Sequence, residues 1–575
     1  MTAPPVRRRL APRWKAVPAP DPRLVDRLTS ELHLPPLVSR LLVTRGYGDL
    51  EEARRYLRPR LEHLHDASLM LGMDRAVDRL ARAIQRGEKI LVHGDYDVDG
   101  ICSSTIMVKV LRHLGGVAEP FVPHRMTDGY DLGDAGVDAA IRQGATLVLT
   151  CDCGTSAHTA IARLASAGID VIVSDHHLPS RPVPECVAVL NPRQPGCEYP
   201  DKDLCAAGVA FKLSLALLRK LGGSDNVALR LLDLVALATI ADVAPLRGEN
   251  RALARYGLKM MSDTNHVGLR ALIEAAGLAG SPLTAGKIGF VLAPRLNAAG
   301  RVGHAMRGVE LLLSSDVTEC NRLARDLEEL NKARQDIDRE TLAQARAMTD
   351  RLDLDQVYGV VLGAEGWHPG VIGIVASRLV EDIARPVMLV ALEQGMGKGS
   401  GRSPSRFDLH AGLTACSDLL VRYGGHRAAA GITIAADRLD AFAERFNQVA
   451  RERLTPDDLY HELRIDLELS ADDITADLEA LLRYFEPYGM GNPAPTLAIR
   501  GARLHGPPRT VGKDGQGLKL RLASGHGPID ALGWGMADRI GEFASGAAVD
   551  VAFRLERDSY MGETRIVTRI SDVRG

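Results

Sequence analysis

From residue 76 onward, short apolar runs alternate with helical stretches. The runs are Ile90–His93, Glu119–Val122, Thr146–Thr150, Val171–Ser174 and Val187–Leu190; helical periodicity fills 76–87, 103–114 and 156–167. Short runs that are apolar on both faces and separated by helices predict a parallel, doubly wound sheet. Residues 205–280 read as mostly helical, and the charged stretch LARDLEELNKARQDIDRETLAQARAM predicts a connecting helix with a solvated face. A second α/β unit follows, with strands at Tyr358–Leu362 and Val387–Ala391, helices at Val371–Glu381, 408–422 and 436–452, and a glycine-rich stretch at Gly397–Ser403. From about residue 455 the runs shorten and alternate (Leu518–Leu522, Val549–Phe553, Thr564–Val567) between glycine turns, with one helix near Ala537. That pattern predicts a small antiparallel barrel of the OB type. The expected chain is thus α/β. It has an N-terminal tail and helical segment (1–75) packing on a first α/β domain (76–304), a connecting helix (305–352), a second α/β domain (353–454) and an OB-fold-like β-barrel (455–575).

Composition adds limits rather than an answer. A chain of 575 residues exceeds what one core usually holds, and 46% hydrophobic with 25% charged residues is ordinary for a globular protein. The net charge of −2 gives no global basic signature, but an acidic metal site can offset a basic groove. Aromatics at 4% are thin for a protein that grips nucleic acid mainly by stacking. Eight cysteines without a CxxC pair fit a reduced, cytoplasmic protein and argue against zinc. Cys151 and Cys153 flank Asp152 on a predicted strand end, so both thiols should point away from it. Arg7, Arg8 and Arg9 are not followed by an apolar stretch, so no secretory signal is expected. Leu231–Ala244, the most apolar segment, is interrupted by Asp233 and Asp242, so no membrane span is expected either.

The chemistry concentrates in His93-Gly-Asp95-Tyr-Asp97-Val-Asp99-Gly100, directly after a predicted strand. Packed carboxylates raise one another's pKa unless a cation neutralises them. Alternate residues of an extended segment share a face, so His93, Asp95, Asp97 and Asp99 can converge. A calcium loop of similar spelling needs a helix before it, whereas here a strand precedes. Asp152, Asp175-His176-His177 and Asp242 sit at other predicted element ends. An isolated aspartate there is usually a cap or turn former. Together they place carboxylates and imidazoles at the carboxyl ends of parallel strands, where open α/β sheets bind ligands. Oxygen and nitrogen donors suit manganese or magnesium, and a set this large suggests two-metal hydrolysis of a phosphate ester.

These motifs, with Asp152-Cys-Gly and Ala241-Asp-Val243, resemble the four motifs of the DHH phosphoesterase superfamily. Pro294-Arg-Leu-Asn-Ala-Ala-Gly-Arg301, His368–Arg378, Ser400-Gly-Arg-Ser403, Gly424–Gly431 and Pro487–Pro493, in that order, are similar to its RecJ branch from about residue 75 to the C-terminus. The resemblance implies a DHH domain followed by a DHHA1 domain. It also implies that His93 and Asp97 hold one divalent ion, that Asp99, His176 and Asp242 hold the other, and that Asp152 bridges them. His177 would lie near the scissile phosphate or leaving group, with Asp95 orienting His93. Asp233 is set aside because only Asp242 has the Ala-Asp-Val setting. The implied activity is a single-strand-specific DNA exonuclease of recombination and repair, working from the 5′ end to mononucleotides. Single-strand-binding protein and a helicase are the implied partners, and a monomer is expected.

For substrate handling, Gly424, Gly425 and His426 can present N–H groups and an imidazole to a phosphate. Arg125, Arg295, Arg301, Arg378, Arg402 and Arg427 lie in or beside motifs, and guanidinium forks suit phosphate. Arg295 and Arg402 lead that set, with Ser400 and Ser403 placed for a 5′-phosphate. Arg509 and Lys519, with Arg503, Lys513 and Arg521, form a cluster suited to a phosphate track. Trp534 and Tyr560 could stack on bases, but core packing is the expected role of Trp534. A DHH hydrolase of short oligonucleotides or cyclic dinucleotides would need no barrel at 455–575, and a pyrophosphatase fits less well still. A non-catalytic strand-binding scaffold would not need the complete set of His and Asp ligands.

Overall fold

The computed structural model describes residues 11–125, 127–129, 131–179, 182–560 and 563–575, with 558–560, 563 and 564 as backbone only. Arg7–Arg9 and the Tyr560 side chain therefore lie outside the described residues. The chain forms two compact units: Asp49–Lys332 with Tyr484–Ala494, and residues up to Gly48 with Ala333–Arg483 and Pro495–Gly575. No helix among the described residues is long and apolar enough to cross a membrane.

Strand β1 (Arg13–Ala16) belongs to the second unit. The first unit is built on β2 (Lys89–Gly94), β3 (Val117–Phe121), β4 (Leu147–Cys151), β5 (Asp170–Ser174) and β6 (Ala188–Leu190), in the order β3-β2-β4-β5-β6. All pairings are parallel, as expected. Alternate strand residues feed two separate cores. Ile90, Val92, Leu147, Leu149 and Ile172 face helices Val98–His113, Ala206–Lys220 and Leu232–Ala241. Leu91, Val148, Val171 and Val173 face helices Asp134–Gln143 and His158–Ser166. Each such side chain contributes about 1.5–3 kcal/mol by leaving water, which is why these runs carry no polar alternation. Helix Leu232–Ala241 is buried almost all round, and so lacks an amphipathic period. The chain leaves β2 toward β3 on one side and later adds β4 on the other, so a topological switch point lies between β2 and β4.

The connecting helix is Val317–Thr349, shorter than 305–352 because a separate helix, Met306–Leu313, precedes it. Its surface is not simply solvated, since Asn331, Arg334, Asp338 and Thr341 are buried along it.

In the second unit, β7 (Val360–Glu365) and β8 (Val387–Glu393) are parallel, and β9 (Met396–Arg402), β10 (Arg422–Gly425) and β11 (Ala429–Ala435) complete the order β10-β11-β9-β8-β7. The glycine-rich stretch is the inner strand β9. A Cβ at Gly397, Gly399 or Gly401 would meet Val390, Ile432 or Met388 at 2.5, 2.5 and 2.6 Å, so bare backbone is what the flanking side chains pack on. The helix expected at 408–422 is only Leu409–Thr414, because Arg422–Gly425 is drawn into a hairpin with β11.

The C-terminal region adds β12 (Glu462–Ile465), β13 (Leu467–Glu468), β14 (Leu497–Arg503), β15 (Arg509–Val511), β16 (Gly517–Leu522), β17 (Ile529–Trp534), β18 (Ala548–Tyr560) and β19 (Glu563–Arg574). The expected small antiparallel barrel is an OB-like mixed sheet, β13-β14-β18-β19-β17-β16-β15, in which β13–β14 and β17–β19 run parallel and the end of β14 meets β16 through the Leu504–Leu522 bridge. Trp534, expected in the core, ends β17 at 53% exposed. The helix near Ala537 is a 3₁₀ segment, Ala537–Glu542. The N-terminus also departs from expectation: residues up to Gly48 group with this unit rather than with the first α/β domain. The cause is β1, which pairs in parallel with β12. Trp14 anchors it, its Nε1–H donating to Asp572 Oδ2 at 2.6 Å while Arg500 and Arg574 lie 4.6 and 4.8 Å from the indole.

Candidate metal centre

The switch point carries the chemistry because four element ends meet there. After β2 the chain turns into helix Val98–His113, which Asp97 caps by accepting from the N–H groups of Asp99 (2.9 Å) and Gly100 (3.2 Å). Gly100 must lack a side chain, since its Cβ would fall 2.5 Å from the Asp95 backbone nitrogen. Asp99 is buried and accepts from Ala206 N and Ala207 N at 2.7 and 2.8 Å, at the start of helix Ala206–Lys220. Asp152 ends β4 with φ 71°, an unusual backbone for a non-glycine residue. Asp131 Oδ1 steadies the following turn by accepting from Gly154 N at 2.7 Å. Asp242 closes helix Leu232–Ala241.

Donor atoms converge in three groups, each within 4.8 Å: Asp99–His176–Asp242, Asp152–His176–His177 and Asp95–Asp97–Asp152. His176 Nε2 stands 3.1 Å from Asp152 Oδ1, 3.7 Å from Asp99 Oδ2 and 3.8 Å from Asp242 Oδ2. Asp152 belongs to two groups and so joins two neighbouring pockets of donors.

His93 lies outside these groups. Its ring is fully buried, with Nδ1 3.4 Å from Cys153 Sγ and with Gly136 against its other edge. Asp95, expected behind His93, instead presents its carboxylate beside Asp97 and Asp152. Cys153 was expected to face away from the site. The left-handed backbone of Asp152 ends the in–out alternation of β4, and the next side chain swings back onto His93. Asp233 is occupied elsewhere, accepting from Thr264 Oγ1 at 2.6 Å and lying 3.0 Å from His266 Nδ1.

Four buried atoms in this cluster have no hydrogen-bond partner: His93 Nε2, Asp95 Oδ1, Asp152 Oδ1 and His176 Nε2. Unsatisfied buried polar atoms are costly, and four in one place fit a cation as their missing partner. The electrostatics agree. Burial, with the like charges of neighbouring carboxylates, pushes Asp99 up to about 7 and Asp242 up to about 8, and holds Asp95 and Asp152 well above the carboxylate range. Burial pulls His93 down to about 4 and His176 down to about 3, leaving neutral imidazoles with free lone pairs. Burial also keeps Cys153 and Cys205 as thiols rather than thiolates, so the donors are hard oxygens and imidazoles, suited to manganese or magnesium.

His177 is different. Burial opposes its charge, but the 2.8 Å bond from Nδ1 to Asp175 Oδ1 outweighs it and pushes the ring up to about 9. Asp175 also accepts from the backbone N–H groups of His176, His177 and Thr155. Sequence reasoning singled out the triplet but assigned Asp175 no role, although its place as the first letter was the available signal. Nothing in the sequence pointed to Asp131.

The arginine candidates separate. Arg125 lies 4.8 Å over the Tyr96 ring, and the charge of Arg301 also reaches Tyr96, so both flank the loop of Asp95 and Asp97. Asn297, from the same motif as Arg301, accepts from Val98 N at 3.1 Å. Arg295 is turned inward, pairing with Glu328 and donating to Val291 O, so its guanidinium is not free for phosphate.

In the second unit, Ser400 and Arg402 meet on β9, with Arg402 Nη1 3.2 Å from Ser400 Oγ. Both face Gly373, where a Cβ would fall 2.8 Å from Ser400 Oγ and 3.1 Å from Arg402 Nη2. Ser403 Oγ instead donates to Pro404 O and Phe407 O, and Arg378 pairs with Asp338 at 3.0 Å. Gly424 and Gly425 lie on β10, where Gly425 has φ 139°, and His426 is exposed at the hairpin turn. Arg427 donates to Ser405 O. Arg509 is exposed, and Lys519 pairs with Asp530 at 2.7 Å.

Comparison with known proteins gives one answer along the whole chain. Residues 89–239 match the DHH family N-terminal domain, 356–452 the DHHA1 domain and 465–572 the RecJ OB domain. The single-stranded-DNA-specific exonuclease RecJ of Bacillus subtilis is 36% identical over 562 residues, spanning 97% of this chain and 70% of that protein. Its Escherichia coli counterpart is 34% identical over 559 residues, spanning 94% and 96%. The crystal structure of Thermus thermophilus RecJ in complex with Mn2+ superposes with a TM-score of 0.84 at 34% identity, covering 99% of this chain and 80% of that one. A magnesium complex of the same protein matches with a TM-score of 0.79.

Proposed function

Because the chain belongs to the RecJ family of single-stranded-DNA-specific exonucleases, we propose that its His/Asp cluster at the switch point hydrolyses the phosphodiester. The enzyme degrades single-stranded DNA from the 5′ end to mononucleotides, in DNA recombination and repair, and uses manganese or magnesium. The observation that carries the site assignment is the convergence of Asp97, Asp99, Asp152, His176 and Asp242 around unsatisfied buried atoms.

Asp99, His176 and Asp242 would hold one ion, and Asp97, with His93 or Asp95, the other; Asp152 would be shared. Bound cations supply Lewis acidity, neutralising the carboxylates, polarising the phosphate and lowering the pKa of the attacking water. The chain's own contributions are positional and electrostatic. Helix Ala206–Lys220 orients Asp99 through two N–H groups, and Asp97 is fixed as a helix cap. His177, kept protonated by Asp175, would release a proton from Nε2 to the departing oxygen. Arg125 and Arg301 would steer the backbone on one side of the loop. Ser400 and Arg402 beside Gly373 would receive the 5′-phosphate, with Ser403, Arg378 and the Gly424–His426 turn in supporting places. The OB-like sheet, including Arg509 and Lys519, would hold the trailing strand. Single-strand-binding protein and a helicase, which prepare such strands, are the partners this reading expects in the cytoplasm.

The test is cleavage of a single-stranded DNA of several tens of nucleotides, labelled at either end, with manganese. A 5′ label released at once as mononucleotide, a 3′-labelled strand shortening stepwise and an intact duplex are expected. Asp97→Ala and Asp152→Ala should bind the strand without cutting it, and full activity in either overturns the site assignment. Cleavage of di- to tetranucleotides alone would transfer the enzyme to the short-oligonucleotide hydrolases.

A further inference from the structure

We infer that the segment Pro487–Pro493 is a positioning element of the metal centre: it fixes the turn that carries Asp242 and, through Asn250, keeps that turn in register with the helix that orients Asp99. The inference rests on the metal-centre reading above and concerns what holds two of its carboxylates in place. The segment, Pro-Tyr-Gly-Met-Gly-Asn-Pro, brings no carboxylate, imidazole or cation of its own to the chemistry.

Asp242 has little to hold it from its own element. It sits where helix Leu232–Ala241 ends, and the next residue, Val243, has φ 59°. A β-branched residue rarely adopts that left-handed backbone, which persists only where the surroundings enforce it. Hydrogen bonds from Val243 N to Ile240 O and from Ala244 N to Thr239 O close the turn, but Pro245–Arg247 beyond it lies in no helix or strand.

The segment supplies the support. Tyr484–Ala494 belongs to the metal-bearing unit, although the chain on both sides of it groups with the other one. Met490 O accepts from Leu246 N at 2.8 Å, and Gly491 O accepts from Arg247 Nε at 2.8 Å. A Cβ at Gly491 would fall 3.0 Å from Pro245 Cβ, and its φ of 69° suits glycine. The segment is itself fixed from behind. Asn492 is buried, its Nδ2 donating to Phe485 O and Pro487 O at 2.8 Å each and its Oδ1 accepting from the Tyr56 hydroxyl at 2.8 Å. Arg251, buried 4.1 Å over the Tyr56 ring, donates to the carbonyls of Tyr56, Tyr484 and Glu486 at 2.9 Å and of Phe485 at 3.0 Å. Buried donors aimed at successive backbone carbonyls fix the shape of a loop.

The support reaches a second ligand. Asn250, fully buried, donates from Nδ2 to Pro245 O at 3.2 Å and to Asp203 O at 2.6 Å. Asp203 lies just before Ala206 and Ala207, whose N–H groups hold Asp99. One amide thus joins the turn behind Asp242 to the start of the helix behind Asp99. Asp99 Oδ2 and Asp242 Oδ2 lie 3.7 and 3.8 Å from His176 Nε2, so a shift of either turn would open this donor set.

Calorimetric titration of the full chain with manganese tests this, with melting of the chelated protein read separately. Asn492→Leu keeps the side-chain size and removes its hydrogen bonds. It should weaken one ion-binding step about 10- to 100-fold, as loss of a ligand's outer support does, and leave the other step unchanged. Gly491→Ala, which presses on Pro245, should do the same. Tyr56→Phe removes one hydroxyl and keeps the ring, and should weaken that step about 2- to 10-fold; it carries the test if Asn492→Leu does not fold. In an Asp242→Ala background the positioned carboxylate is gone, so Asn492→Leu or Tyr56→Phe should cause no further loss. Unchanged manganese binding in the folded variants overturns the proposal even if they melt lower, as does an equal additional loss in the Asp242→Ala background. A wild-type protein that binds no manganese would instead refute the metal-centre reading.

Discussion

Gly136 offers a sharp test of whether His93 belongs to the metal centre. Helix Asp134–Gln143 lies against the buried imidazole, and a Cβ at Gly136 would fall 2.6 Å from both Cδ2 and Nε2. Non-bonded heavy atoms settle at about 3.5–4.0 Å, so Gly136→Ala requires the ring to retreat by roughly 1 Å. Retreat is blocked on the other side by Cys153 Sγ, 3.4 Å from Nδ1. Two effects then compete. Alanine favours a helix over glycine by about 1 kcal/mol. Overpacking a well-filled interior costs about 1–3 kcal/mol. The expected net result is a small loss of stability, while affinity for manganese falls about 10- to 100-fold, the usual penalty for misorienting a ligand. Calorimetric titration with manganese and thermal melts with and without the ion measure both terms. Gly541→Ala, where a Cβ meets nothing within 4 Å, is the control. A Gly136→Ala protein that melts higher and binds manganese as the wild type does would show that His93 holds no ion, leaving Asp95 as the ligand beside Asp97.

Three further outcomes follow from the site. Without divalent ions, Asp99 and Asp242 titrate at about 7 and about 8 when folded, against about 3.9 when unfolded, so the folded chain holds protons that the unfolded chain has lost. Stability of the chelated protein should therefore fall as pH rises from about 4 to about 8, and the gain in melting temperature from manganese should widen over that range; a constant gap would contradict this. Asp175→Asn removes the charge that holds His177 at about 9, so the ring should titrate back toward 6.5 or below in the metal-free protein by proton NMR, with turnover lowered. Gly373→Ala intrudes on Ser400 and Arg402, and Arg402→Gln removes the charge there. Either should cut the preference for 5′-phosphorylated over 5′-hydroxyl strands about 10- to 100-fold, as expected when a charge-assisted bond worth about 1.5–3 kcal/mol is lost.

The legible parts of this chain were those where one local pattern has one structural solution. Short apolar runs such as Leu147–Cys151, buried on both faces and separated by helical stretches, fit inner parallel strands, and the carboxylates following them gather at the carboxyl ends of those strands. What the sequence hid depends on distant partners or on single dihedral angles. Gly397, Gly399 and Gly401 are glycines because Val390, Ile432 and Met388 occupy the space, which no local pattern reveals. The φ of Asp152 turned Cys153 toward His93 against simple alternation. Arg295 looked free in its motif, and only the fold brings Glu328 to it. Trp534 looked like core, but its ring lies exposed against Gly512 and Gly517 of the neighbouring hairpin.

The pairing of β1 with β12, fastened by Trp14 against Asp572, has a consequence for the order in which the protein is made. Ribosomes extend a chain from its N-terminus, and domains usually fold as they emerge. The sheet of the metal-bearing unit is finished once Leu190 has been synthesised. Trp14, although among the earliest described residues made, waits for Glu462–Ile465 and then for Asp572 before it has a seat. Contacts that span so much sequence form slowly. A nascent chain would therefore assemble the parallel sheet that bears its His/Asp cluster well before the unit that seats Trp14 could close.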